Sequence, residues 1–123
     1  MTPISKSDKE AVAALQLAPD NEVLDNAEKL LLWLQDVNWP IFEDVVSRLS
    51  FLGMELHENI LKILEGDDSI WKADIVGHLI PRFSKSAQTK YISALQDMLK
   101  SPSNNDFQEG LIDFIEIQLS KNG

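Results

Sequence analysis

The chain has 123 residues, of which 20 are Asp or Glu and 11 are Lys or Arg, so its formal net charge is −9 with histidine neutral. This balance disfavours nucleic acid and anionic lipid as partners, because both recruit clustered Lys and Arg. The absence of cysteine excludes a disulfide framework, thiol catalysis and cysteine-ligated zinc. With 44% hydrophobic and 25% charged residues, the composition is that of one globular domain spanning residues 1–123.

Targeting signals are not apparent in the sequence. The first ten residues are polar and charged, without the apolar region of a secretory signal. The longest apolar stretch, residues 30–34, is far shorter than the roughly 20 residues that a membrane span needs. We therefore expect a soluble cytoplasmic protein.

Apolar residues recur with helical period along almost the whole chain, and this pattern predicts an all-α protein. A first helix, residues 7–17, should follow a cap at Ser5 or Ser7 and end before Pro19. A second helix, residues 21–35, carries one continuous apolar stripe, which consists of Val23, Leu24, Ala27, Leu30, Leu31 and Leu34.

The third predicted helix opens at Asn38, whose side chain can cap it, with Pro40 in the first turn. Gly53 is expected to end this helix in the left-handed conformation. Asp68 or Ser69 should cap the fifth helix, which Pro81 ends. The predicted ranges of helices four to seven are about 56–65, 69–80, 86–100 and 107–119.

Short connections between these seven helices make them antiparallel neighbours. A shift of 32 positions aligns the acid-to-tryptophan steps 36–39 and 68–71, and Asp106 followed by Phe107 continues the pattern. This degenerate repeat predicts a short HEAT-like α-α superhelix. A closed helical bundle is the alternative. In the superhelix, helix 7–17 is an N-terminal cap and the helical hairpins span about 21–53, 56–81 and 86–120.

The run WLQDVNWP at residues 33–40, followed by Asp67-Asp68 and Trp71-Lys72, resembles an uncharacterised family of small bacterial HEAT-like domains of unknown function. The resemblance covers roughly residues 7–119. It implies a HEAT-like helical-repeat fold and a bacterial cytoplasmic setting. It implies no catalytic residue, because the family has no assigned activity, and the Asn-rich loop 103–105 departs from the family pattern.

The turn at residues 33–40 has two interpretations. In the structural one, Asn38 caps the following helix and Trp39 wedges between hairpins. In the functional one, Trp33 lies off the apolar stripe and, together with Asp36, faces a partner, since tryptophan is a common interface anchor.

A second candidate group follows about thirty residues later. Asp74 and His78 are four residues apart and should share a helix face, where the carboxylate can orient or charge the imidazole. Such a pair is the minimum for acid and base catalysis, and with Asp67 or Asp68 it is the start of a metal site, although no second histidine has a useful spacing. Standard phosphate-binding, nucleophile and zinc motifs are absent, and we expect no cofactor.

These observations favour a non-enzymatic protein–protein interaction module whose acidic surface binds a basic protein. The alternatives are an immunity or antitoxin-like inhibitor of a basic bacterial toxin, a carboxylate and histidine enzyme or metal-binding protein, and a structural homo-oligomer. The sequence leaves the oligomeric state open. The candidate partner-binding residues are Trp33, Asp36, Asn38, Trp39, Asp67, Asp68, Trp71, Lys72, Asp74 and His78.

Overall fold

The computed structural model describes residues 2–3, 5, 8–102 and 110–122, and within them the chain is all-helical. The predicted cap Ser7, the loop 103–105 and the third repeat step at 106–107 lie outside the described residues. Every described helix is too short or too polar to cross a membrane. The α-helices are α1 (Lys9–Leu17), α2 (Asp20–Asp25), α3 (Ala27–Leu31), α4 (Phe42–Leu49), α5 (His57–Leu64), α6 (Ser69–Asp74), α7 (Lys85–Thr89), α8 (Ile92–Lys100) and α9 (Leu111–Asn122).

The N-cap of the first helix lies one residue after the later of the two predicted caps. Asp8 is the N-cap of α1, and its Oδ1 accepts the backbone N–H of Ala11 at 3.1 Å. Ser5 is therefore not the cap; its carbonyl instead accepts the N–H of Asp8 in the preceding turn. The last carbonyls of a helix lack intrahelical partners. Here the buried Arg48 supplies the missing hydrogen-bond donors.

Arg48 joins α4 to the end of α1. Its Nε donates to the Leu15 carbonyl at 3.3 Å, and its Nη2 donates to the Ala18 carbonyl at 3.0 Å. The same Nη2 donates to the Asp20 carboxylate at 2.7 Å, so the guanidinium charge is paired although its side chain is only 9% exposed. We call this set of contacts the Arg48 clasp.

The predicted second helix is divided. Asn26 separates α2 from α3, and residues Leu32–Leu34 form a 3-10 turn after α3. The cause is local: the Asn26 side-chain amide donates to the Glu22 carbonyl at 3.0 Å and so occupies the acceptor that a continuous α-helix would use for the Asn26 backbone N–H. The apolar stripe nevertheless predicted the buried face correctly, since Val23, Ala27, Leu30, Leu31 and Leu34 are all buried.

Two details of the third predicted helix were wrong. The helix begins at Phe42, after a turn, and Asn38 does not cap it. Gly53 has φ −59°, so it is not a left-handed cap. A Cβ at Gly53 would lie 2.6 Å from Phe83 Cγ and 2.8 Å from Ala87 Cβ, which shows that this glycine serves a close approach of two segments. The buried Tyr91 hydroxyl donates to the Gly53 carbonyl at 2.7 Å and fixes that approach.

The fifth predicted helix changes its winding twice. After α6 the chain forms a π-helical segment, Ile75–Leu79, and then a 3-10 turn, Ile80–Arg82. Pro81 has no N–H for the Gly77 carbonyl, and its ring crowds that carbonyl in an α-helix, so a regular helix cannot continue there. The π-helical segment packs against both α4 and α9, and its His78 ring lies between Phe42 of α4 and Phe114 of α9.

Candidate functional site

The three tryptophans lie beside two adjoining cavities. Trp33 belongs to the 3-10 turn after α3, Trp39 to the turn before α4, and Trp71 to the first turn of α6. All three are half-buried, and Leu32, which lines both cavities, is 47% exposed. We call Leu32, Trp33, Trp39 and Trp71 the tryptophan face.

The first cavity lies between α3 and the pair α5 and α6. Its volume is about 300 Å³ and its lining is mostly apolar. Trp71 forms one wall and is held in place, because its indole Nε1 donates to the Leu31 carbonyl at 3.0 Å across 40 residues of sequence. The lining residues are Glu28, Leu31, Leu32, Asn59, Lys62, Ile63 and Trp71.

The second cavity lies on the other side of Leu32. Trp33 and Trp39 meet edge to face in it, with ring centroids 5.5 Å apart and an interplanar angle of 66°. The volume is about 320 Å³, within the roughly 300–1,000 Å³ of ligand-sized pockets. The lining residues are Thr2, Pro3, Lys29, Leu32, Trp33, Gln35 and Trp39.

The acidic residues of the two turns have structural contacts of their own. Asp68 caps α6, since its Oδ1 accepts the Trp71 backbone N–H at 3.0 Å, which confirms the predicted cap. Asp36 Oδ1 accepts the backbone N–H of Asn38 at 2.8 Å and so closes the turn between Trp33 and Trp39. The two aligned acids of the repeat therefore have different roles. Asp68 caps a helix, whereas Asp36 closes a turn that precedes a helix.

The remaining predicted residues of these turns lie nearer to solvent. Asp67 and Asn38 are exposed, and Lys72 is half-buried. Two further exposed acids, Asp25 and Glu28, line a polar depression next to the first cavity. A carboxylate therefore flanks or lines each part of this surface that the structure describes.

Neither Asp74 nor His78 lines the two cavities. Asp74 is buried at the end of α6, with 7% of its surface exposed. His78, in the π-helical segment, is half-buried between the rings of Phe42 and Phe114, at centroid distances of 5.6 and 5.9 Å. Among the described residues, no group of three or more His, Asp or Glu side chains is arranged to hold a metal ion.

An ion pair lies close to His78. Arg82 Nη2 donates to Glu43 Oε2 at 3.0 Å, and this hydrogen bond lowers the pKa of Glu43. Burial lowers the pKa of His78, and the charge of Arg82 adds to that effect, whereas the charge of Glu43 opposes it. Burial and the nearby cation therefore both disfavour the protonated imidazole.

Sequence reasoning missed several residues of the site. Leu32 falls off the apolar stripe of the second predicted helix, and this position was a usable signal of its exposure. Lys29 and Gln35 carry no such signal. Pro3 is buried and lines the second cavity, although nothing in the local pattern distinguishes it from a residue of an unstructured N-terminal segment.

The fold and the site define a small domain that is all-helical in its described residues and carries an aromatic surface. The chain belongs to a family described as a domain of unknown function, DUF5071, whose model matches residues 1–116. No curated protein matches the chain.

Proposed function

We propose that this domain is a protein–protein interaction module that binds a basic partner protein through the tryptophan face. The observation that carries the proposal is the convergence of all three tryptophans and the exposed Leu32 on two adjoining cavities. Tryptophan is enriched at interface hot spots, where a rigid aromatic side chain fills or lines a pocket from which water is displaced.

Charge supports a basic partner. The chain carries a net charge of −9, and Asp25, Glu28, Asp36 and Asp67 lie in or beside the segments that form this surface. Complementary charges at the rim of an interface accelerate association and select against partners of the wrong sign. Because Asp36 and Asp68 are held by hydrogen bonds to backbone N–H groups, their charges have fixed positions.

The proposal also covers the cellular location and the architecture of the domain. We place it in the bacterial cytoplasm and describe its architecture as a short HEAT-like superhelix, in which stacked helical hairpins form one extended binding surface. The resemblance of residues 33–40 and 67–72 to small bacterial HEAT-like domains supports both parts of this setting.

The proposal predicts a partner whose recovery depends on salt and on the charge of the tryptophan face. The immobilised domain is incubated with an extract of its native host at low and at high salt, and bound proteins are identified by mass spectrometry. Glu28→Lys should weaken capture at low salt by about tenfold or more, because it places a like charge opposite a basic partner.

The matched control is Glu116→Lys, which makes the same change of net charge at an exposed position of α9, away from both cavities. It should leave capture close to that of the parent chain. Failure to recover any salt-sensitive protein, or equal losses with both variants, contradicts the proposal. Light scattering of the isolated domain completes the test, since a salt-sensitive dimer would make the partner a second copy of the same acidic chain.

A further inference from the structure

A further apolar surface lies between the end of α4 and the start of α7. A cavity of about 400 Å³ opens there, and its lining includes the buried side chains of Phe83 and Ala87. Phe51 and Met54 belong to the same lining, but they are 79% and 44% exposed. None of the described lining residues also lines the cavities of the tryptophan face. We call this cavity with its two exposed side chains the Phe51 face.

Phe51 projects from the domain more than any other aromatic side chain that the structure describes. It lies in the 3-10 turn Ser50–Leu52, where adjacent side chains point in different directions because one turn takes three residues. The neighbouring Leu52 is buried in the core, and the Phe51 ring is left in water. Burial of such a ring against another molecule is favourable, since it removes a large apolar area from water.

The combination of a protruding ring and an apolar cavity fits a second copy of the same chain. In a dimer with twofold symmetry, both copies use the same surface patch. A protrusion and a cavity on one patch are therefore filled at the same time, once in each direction. The Phe51 face has both features within one lining, and its cavity of about 400 Å³ has ample room for one phenyl ring.

The charges of the Phe51 face also match a second copy. Its lining contains one carboxylate, Glu55, and one cation, Arg82, so it has no net charge although the whole chain carries −9. A twofold axis can bring each Arg82 to the Glu55 of the other copy. Arg82 is already paired with Glu43, but 38% of its side chain remains exposed. A basic partner would meet a like charge at this cavity, whereas a second copy meets opposite charges.

We propose that the Phe51 face joins two copies of this chain in a symmetric dimer, in which Phe51 of each copy enters the cavity of the other. The inference goes beyond the proposed function, because it uses no residue of the tryptophan face. A contact centred on one ring from each copy is small, so the dimer is weak and forms at high protein concentration. Its two chains repel each other through their negative net charges, and salt screens that repulsion.

Sedimentation equilibrium of the full chain tests the dimer. Between about 20 µM and about 1 mM protein, the average mass should rise from 13.9 kDa towards twice that value. Sodium chloride raised from about 0.05 M to about 0.5 M should strengthen the dimer, whereas it weakens capture of a basic partner. Phe51→Ser should raise the dissociation constant about tenfold or more, since each dimer loses two buried rings. Met54→Ser should raise it by a smaller factor.

The matched control is Leu17→Ser, which replaces another exposed apolar side chain, 88% exposed at the end of α1 and outside the Phe51 face. It should leave the dissociation constant unchanged, and thermal unfolding verifies that each variant is folded. A single-chain mass at every concentration, a dimer that salt weakens, or equal losses with Phe51→Ser and Leu17→Ser overturns the inference. Phe51→Ser should not alter capture of the basic partner, so this inference and the proposed function fail in different experiments.

Discussion

At the scale of single residues, His78 is the histidine whose surroundings most disfavour a positive charge. Two phenylalanine rings exclude water from much of the imidazole, and Arg82 brings a positive charge close to it. Both effects disfavour the protonated form. The nearby Glu43 carboxylate opposes them, but it is itself engaged by Arg82.

This environment predicts that stability falls with decreasing pH. Because the pKa of His78 is lowered in the folded state, the unfolded chain binds the proton more readily, and stability decreases as pH falls through the unfolded value near 6.5. Above that pH the contribution is fully present. Urea unfolding between pH 7.5 and 5.5 should show the decline, and this window lies above the titration of Glu43, whose pKa is also lowered.

His78→Gln removes the titratable group at this position, so the decline in stability between pH 7.5 and 5.5 should become shallower. His57→Gln should show the same decline as the parent chain. His57 is a suitable control because its Nε2 lies 2.9 Å from the Lys90 carbonyl and its ring packs on Tyr91, remote in sequence from the His78 contacts. Equal pH dependence in the parent chain and in His78→Gln would contradict this account.

At the scale of helices, the π-helical segment and α9 approach each other closely at Gly77. A Cβ at this position would lie 2.8 to 2.9 Å from atoms of the Phe114 ring, which is closer than such atoms can approach. The absence of a side chain therefore sets the distance between the two segments. The wide winding of residues Ile75–Leu79 places both Gly77 and His78 against Phe114.

Gly77→Ala should lower the free energy of unfolding by about 1–3 kcal/mol, the usual cost of overpacking a filled core. Part of that cost should disappear in the double variant Gly77→Ala with Phe114→Leu, since the smaller side chain makes room for the added methyl group. Urea unfolding of both single variants and of the double variant measures this coupling. Strict additivity of the two changes would show that the contact does not set the spacing.

Gly66→Ala provides a matched control for this substitution. A Cβ at Gly66 would meet only backbone carbonyls, the nearer at 3.3 Å, so a slight adjustment accommodates it. We expect a change well below that of Gly77→Ala. A comparable loss at both glycines would show that the effect does not come from contact with the Phe114 ring.

Helices were predictable from the sequence to the extent that their causes are local. The apolar stripe of α2 and α3 and the Asp68 cap follow from spacing and from a side chain three residues away from its partner. The break at Asn26 depends on which of two donors takes the Glu22 carbonyl, and the sequence does not decide that competition. The role of Gly53 depends on Phe83 and Ala87, which only the folded chain brings near.

At the scale of the whole molecule, the net charge of −9 means that carboxylates repel one another in the compact folded state. The described ion pairs, Arg48–Asp20, Arg82–Glu43 and Lys100–Asp97, compensate few of the carboxylates. These pairs therefore leave most of the repulsion that the negative net charge implies uncompensated.

Salt should stabilise the domain. Raising the ionic strength from about 0.01 M to about 0.15 M shortens the screening length from roughly 30 Å to roughly 8 Å and weakens this repulsion. Thermal unfolding in sodium chloride should show a higher midpoint at the higher ionic strength, and Glu116→Lys should reduce that increase because it makes the net charge less negative. A midpoint that falls with salt would indicate that attractive pairs outweigh the general repulsion.

The candidate site was predictable in its components and not in its assembly. The sequence singled out Trp33, Trp39 and Trp71 because of their rarity and their spacing. That they lie beside two adjoining cavities follows from contacts between distant segments, such as the hydrogen bond from Trp71 to the Leu31 carbonyl across 40 residues. Asp74 and His78, grouped with them by sequence, line neither cavity: Asp74 is buried at the end of α6, and His78 is half-buried in the π-helical segment that follows.

The Arg48 clasp has a consequence for the order in which the chain folds during synthesis. Its acceptors precede Arg48 by 28 to 33 residues, so they leave the ribosome well before their donor. A helix of nine residues is too short to persist alone in water. The first helix therefore gains these partners and docks only once Arg48 and the rest of α4 have been synthesised.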